Sequence, residues 1–238
     1  LPNRYWGILI VFIAAQLSPA LGFPILQILF PNLSPIDQFV YWIIFSMGVA
    51  TLIVLFLLRP DIENINLRNE PSTGEVVKWS LLGIPIAYAT QIFVNLINIE
   101  LIGIEEGSEN TAEIMGVIDE NIWFIIYPIL FAPILEEVVF RKVIFGELYK
   151  RMNFLLAAII SAFVFAALHW DFTFILTYTA MGIVFAYLYV RTKRIIVPII
   201  AHMSINTIAV LIQLNVDIEE LERQLQDLEN SMTIFFGG

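Results

Sequence analysis

The sequence predicts an all-α fold: a polytopic membrane helix bundle of about seven transmembrane helices. Three observations carry that reading. Of 238 residues, 59% are hydrophobic and 14% are charged, whereas soluble domains carry about 25% charged residues. The mean hydropathy is +0.82. The apolar residues also come in seven runs, each close to the ~20 residues that cross ~30 Å of hydrocarbon. This composition excludes a disordered chain, a nucleic-acid-binding domain and a disulfide-stapled secreted module. It also argues against a soluble globular enzyme. The chain has no cysteine, which removes thiol nucleophiles, thiolate ligands and redox switches. Residues 1–238 read as a single integral membrane domain.

The runs lie at 5–30, 38–58, 76–102, 121–140, 154–170, 172–190 and 195–214. The first is long, carries Pro19 and Pro24, and is followed by no clear small-residue cleavage site. It therefore reads as a span rather than a signal peptide. The second is uninterrupted by charge up to Arg59. The third places Gln91, Asn95 and Asn98 on one helical face, where hydrogen bonds between helices are expected. The fourth ends in an acidic pair and then Arg141, the fifth reaches His169, the sixth stops at Arg191 and the seventh contains His202. Past it, Ile218, Leu221, Leu225 and Leu228 recur at helical spacing among acids, predicting a short external amphipathic helix over 217–230.

Lysine and arginine set the orientation. With a cytoplasmic N-terminus and seven crossings, the inner segments hold Arg4; Arg59, Arg68 and Lys78; Arg141, Lys142, Lys150 and Arg151; and Arg191, Lys193 and Arg194. Eleven of the twelve basic residues then lie inside, and only Arg223 lies outside. The segment 103–120 carries Glu105, Glu106, Glu109, Glu113, Asp119 and Glu120 with no basic residue. The C-terminus is expected outside.

A charge at membrane depth costs several kcal/mol unless it is paired, protonated or facing water. The fourth run nevertheless ends Pro133-Ile134-Leu135-Glu136-Glu137-Val138-Val139-Phe140-Arg141. Glu137 and Arg141 stand at i, i+4 with the acid N-terminal, the favourable order for an ion pair. Glu136 points about 100° away from that pair. It has no local cation and is the freer carboxylate, suited to general-base work. The chain's two histidines, His169 and His202, both fall inside runs, and Asn206 lies one turn beyond His202.

Together these residues resemble the CPBP family, the Abi or CAAX-protease-like intramembrane endopeptidases. That family includes the type II CAAX prenyl endopeptidases and many bacteriocin-processing or self-immunity proteins. Its ordered pattern E-E-x-x-x-R, F-x-x-x-H, H-x-x-x-N is matched by Glu136-Glu137…Arg141, Phe165…His169 and His202…Asn206. The match covers about residues 121–210; the first three runs share only hydrophobicity. The resemblance implies peptide-bond hydrolysis within the bilayer. Glu136 and His169 would hold and deprotonate a water, His202 and Asn206 would donate to the oxyanion, and Glu137 and Arg141 would position the site.

Two His and two Glu could also bind Zn2+, although the helical H-E-x-x-H pairing is absent. The resemblance favours a glutamate-based mechanism with no cofactor. The expected partners are the lipid bilayer and a peptide or membrane-protein substrate, one that a prenyl group could anchor, with no nucleic acid. A transporter or proton relay, and an immunity protein without turnover, are the alternatives, since buried Glu and His serve there too.

One geometric problem accompanies this reading. Counted from the basic ends of their runs, Glu136 lies ~8 Å deep, His202 ~10 Å and His169 ~22 Å. The fifth span must therefore tilt or begin deeper, or part of 143–153 must fold into the membrane. The site is expected in the cytoplasmic half, in a water-filled cavity between the fourth, fifth and seventh spans.

Overall fold

A computed structural model describes residues 1–63, 71–104 and 107–215, together with Arg223. Glu105, Glu106, Arg68 and, apart from Arg223, the expected amphipathic helix over 217–230 lie outside the described residues. Among the described residues, all regular structure is helical.

The first apolar run forms two helices, α1 (Asn3–Leu17) and α2 (Pro19–Leu29), bent by 49°. Pro19 opens α2 and supplies no N–H, so the backbone ladder breaks at Ser18. The Ser18 hydroxyl donates to the Ala15 carbonyl (2.8 Å) and accepts from the Trp42 indole (3.1 Å). Trp42 belongs to α3 (Pro35–Glu63), which returns alongside the bent pair.

Next, α4 (Thr73–Ile97) is capped by Ser72, whose hydroxyl accepts the Glu75 N–H at 3.2 Å. A wider π turn, Asn98–Ile102, extends it until Gly103 takes the left-handed conformation at φ 74. A short polar helix, α5 (Glu109–Glu120), follows. The long α6 (Ile122–Tyr149) carries the acidic pair. The bundle closes with α7 (Phe154–Ala167), α8 (Ile175–Thr192) and α9 (Ile196–Asn215).

This is a polytopic helical bundle, and length and apolarity alone do not confirm the expected seven spans among the described residues. Five helices are long and apolar enough to cross a membrane, and six if the bent α1–α2 pair counts as one. The expected fifth span is the one that falls short. It yields the 14-residue α7, only ~21 Å long at the α-helical rise. An irregular stretch over 168–174 follows before α8 begins.

Polar contacts tie the bundle ends. The Asp61 carboxylate accepts Arg4 Nε (3.1 Å) and Nη2 (2.9 Å) and the Tyr5 hydroxyl (3.2 Å), with Lys142 Nζ at 3.9 Å. Arg191 stacks its guanidinium over Trp79 at 5.0 Å. Arg4, the end of α3 and Lys142 thus meet at Asp61, and the end of α8 meets the early turns of α4. Deeper in, the Thr177 hydroxyl donates to Asn95 Oδ1 (2.7 Å) and accepts from Asn98 Nδ2 (2.9 Å), joining α4 to α8. Two of the three polar residues on the α4 face are therefore interhelical fasteners, as the sequence suggested.

Small residues bring α7 onto α8. Ala157, Ala158, Ala162 and Ala166 are buried. A Cβ added at Gly182 would stand 2.6 Å from Ala162 Cβ and 2.9 Å from its Cα. The opposing atoms are rigid backbone and methyl, so the helices would have to separate. Gly182→Ala should therefore cost about 1–3 kcal/mol by overpacking, lowering the melting temperature in detergent by several degrees. An unchanged melting curve would refute this close approach.

Candidate active site

The winding of α6 changes around the acidic pair. Residues Tyr127–Phe131 and Val138–Phe145 are π-wound, and Ala132–Glu137 between them is α-helical. Pro128 and Pro133 cannot donate to the ladder, which favours such rewinding. π-Wound turns occur often at functional sites.

Glu137 and Arg141 are both buried, 0% and 1% exposed. Arg141 Nε lies 3.1 Å from Glu137 Oε2. The guanidinium packs over the rings of Phe165 (4.4 Å), Phe185 (5.3 Å) and Phe140 (5.9 Å), so aromatic faces replace water around it. The other Glu137 oxygen, Oε1, is 2.9 Å from His202 Nδ1. An ionised carboxylate only accepts, so Nδ1 carries the proton and Nε2 is turned away from Glu137. The imidazole stacks on Phe185, with centroids 4.8 Å apart and an 18° interplanar angle. Glu136 Oε2 stands 3.8 Å from His202 Nε2, too far for a direct hydrogen bond.

His169 lies just past α7, in the irregular stretch. Its Nδ1 is 2.9 Å from the Phe165 carbonyl; a carbonyl only accepts, so this nitrogen donates and a neutral ring keeps the Nε2 lone pair free. The ring stacks on Tyr178 at 4.1 Å and meets the Phe165 ring edge-on at 4.6 Å. Trp170, the next residue, has φ 57, a strained backbone for a bulky side chain.

The structure thus links Glu137, Arg141 and His202 directly and leaves Glu136 3.8 Å from the His202 ring. It joins His169 to them through Phe165, whose ring centroid is also 6.0 Å from that of His202. Asn206 stands one turn beyond His202, and its Nδ2 donates to the Pro128 carbonyl at 2.8 Å.

His202 keeps its ~10 Å from the start of α9, but the mismatch between Glu136 and His169 closes because α6 ends at Tyr149 rather than Arg141. Counted from there, Glu136 lies roughly 20 Å along its helix, comparable with His169 from Phe154. Residues 143–149 continue the helix, one of the solutions the sequence allowed. The acidic pair consequently sits near the middle of α6 rather than toward its basic end.

Sequence reasoning missed Tyr178, Phe185 and a polar latch at the start of α5. Ser108 caps α5 and donates to Asp171 Oδ2 (2.7 Å), and its oxygen lies 3.0 Å from the Tyr178 hydroxyl. Asn110 Nδ2 donates to the same hydroxyl at 3.3 Å. Asp171, a lone acid between the fifth and sixth apolar runs, was the available signal. The aromatic residues had none, since Phe and Tyr in apolar helices are ordinary core. Among the described residues, no three His, Asp or Glu side chains are grouped so as to hold a metal ion. Both imidazoles also commit Nδ1 to protein acceptors, leaving one ring nitrogen each.

Comparisons with known proteins agree on the class. The family model described as "Type II CAAX prenyl endopeptidase Rce1-like" matches residues 118–208. The chain is 37% identical to the "Putative membrane peptidase YdiL" of Bacillus subtilis, over 99% of this chain and 98% of that protein. It is 32% identical to the "Membrane-embedded CAAX protease MroQ" of Staphylococcus aureus, over 89% of this chain and 91% of that protein. No solved structure matches it. Fold and relatives together define a multi-pass integral membrane peptidase. Within that class, the chain belongs to the CPBP family of CAAX-protease-like enzymes that its motifs resemble.

Glu137 has the most consequential contacts of the set. Glu137→Gln removes the buried counter-charge of Arg141, and breaking a buried pair typically costs about 3–5 kcal/mol. Its melting temperature in detergent should fall sharply. Adding Arg141→Met removes the stranded cation and should recover part of the loss. A Glu137→Gln protein as stable as wild type would refute the ion-pair account.

Proposed function

We propose that this membrane peptidase is an endopeptidase that cleaves membrane-associated or lipidated peptides, prenylated ones included, with a water activated by Glu136 and His169. The observation that supports this most is the division between the two acids. Glu137 spends both oxygens on Arg141 and His202, whereas Glu136 makes no direct hydrogen bond to His202 and keeps its lone pairs for chemistry.

In this reading Glu136 takes a proton from water, with the water's orientation helped by the free Nε2 of His169. The resulting hydroxide adds to the scissile carbonyl carbon. The oxyanion of the tetrahedral adduct receives hydrogen bonds from His202 and Asn206. Collapse of the adduct breaks the C–N bond, and protonated Glu136 returns its proton to the leaving amine. For His202 Nε2 to donate while Nδ1 donates to Glu137, the ring must carry both protons.

A zinc-dependent version of the reaction would need a third ligand beside the two Nε2 atoms. No such grouping occurs among the described residues, so the proposed mechanism routes no step through a metal. Glu136→Gln is nearly isosteric and should abolish cleavage of a peptide library in detergent, with melting unchanged. Wild-type activity should survive chelation. Near-normal cleavage by Glu136→Gln, or loss of wild-type activity on chelation with full recovery on added zinc, would overturn the assignment.

The same reading places the N-terminus and the basic helix ends in the cytoplasm, with the acidic segment and the C-terminus outside. The Asp61 cluster supports a common side for Arg4, the end of α3 and Lys142. Reporter fusions after Ser108 and Ser231 should be active only on the external side. Cytoplasmic reporter activity at both positions would reverse the orientation.

A further inference from the structure

Helices normally leave no interior carbonyl free, because each is taken by an N–H four or five residues later. Pro128 is an exception created by two local features. In the π winding of Tyr127–Phe131, the Ala132 N–H donates to the Tyr127 carbonyl, five residues back. That removes the α-helical partner of the Pro128 carbonyl. Its π partner would be residue 133, which is Pro133 and has no N–H to give. The Pro128 carbonyl is thereby left without a backbone donor inside the bundle, and the donor it receives is Asn206 Nδ2 at 2.8 Å.

We infer that Pro133 is a positioning residue for the proposed oxyanion site: by withholding an N–H, it frees the Pro128 carbonyl to anchor and orient the Asn206 amide. A carbonyl accepts only, so the anchor also fixes which end of the Asn206 amide carries the donors. An amide nitrogen has two hydrogens. One is held by Pro128 and the other remains for the developing oxyanion. Pro133 lies on α6 one turn before the acidic pair and Pro128 just over one turn before Pro133, and Asn206 lies on α9. The contact therefore aligns the helix carrying the base with the helix carrying the donor. A donor aimed in advance at developing charge needs no reorganisation during the reaction.

This inference rests on the oxyanion role proposed above for Asn206, and its test separates the two. The first readout needs no turnover. Protein grown with proline labelled with 13C at the carbonyl carbon is compared by infrared difference spectroscopy, which isolates one of eleven prolines. Asn206→Ala should move the Pro128 carbonyl band to higher frequency, as expected on loss of a hydrogen bond. Pro133→Ala combined with Asn206→Ala should return it, because the new N–H supplies the missing donor. A band unmoved by Asn206→Ala overturns the anchor.

The second readout is kinetic. Pro133→Ala should lower kcat about tenfold, short of the 10²–10³ typical of deleting a donor outright, with KM unchanged. A backbone ester at position 133, made by incorporating lactic acid in place of proline, also lacks the N–H and should recover most of that kcat. An ester variant as slow as Pro133→Ala would assign the effect to the proline ring and overturn the inference. A band that shifts as expected, with wild-type kcat in Pro133→Ala, overturns the positioning role of Pro133, whereas near-normal kcat in Asn206→Ala overturns the oxyanion role on which it rests.

Discussion

The buried chain Arg141–Glu137–His202 is the constraint around which the rest of the site is arranged. It begins on α6 with an i, i+4 ion pair of 3.1 Å and crosses to α9 through a hydrogen bond of 2.9 Å. Each member would be costly to bury alone. The aromatic rings of Phe140, Phe165 and Phe185 complete the enclosure of the guanidinium. Two of these rings also touch the histidines, with Phe165 against His169 and Phe185 against His202. The same side chains that make Arg141 tolerable therefore place both imidazoles. Glu136, one residue from Glu137 and turned about 100° from it, is left out of the chain and next to it.

Much of this was legible in the sequence. The class of fold followed from hydropathy, and the acid pair, arginine, histidines and asparagine all stood out as polar groups in apolar runs. The Glu137–Arg141 pairing followed from spacing alone, because a helix fixes i, i+4 neighbours whatever surrounds it. The link from Glu137 to His202 did not, since it depends on how two distant helices cross. The length of the fifth helix was not legible at 154–170, where hydropathy continues through Leu168 while helical structure stops at Ala167. An apolar run reports burial or lipid contact, and it cannot report where a helix turns back.

The depth of Glu136 was misjudged for a related reason. Arg141 looked like the end of a span because charge usually marks the interface. Here the arginine is buried and paired, and the helix runs on to Tyr149. The prolines were visible, but their effect on π winding was not. Sequence shows that an N–H is missing, and only the register shows which carbonyl loses it.

The shortness of α7 has a consequence for the surrounding lipid. Leu155, Leu156, Ile159, Phe163 and Val164 on its outer face are exposed apolar side chains, so acyl chains are their natural neighbours. A helix of ~21 Å set beside full-length spans obliges the adjoining bilayer to thin, or its lipids to tilt, at a cost of fractions of a kcal/mol per Å of mismatch. One of the two ends where that mismatch can be taken up leads directly into His169 and the strained Trp170. A change in acyl-chain length in the host membrane would bear there on the turn that holds a histidine of the site.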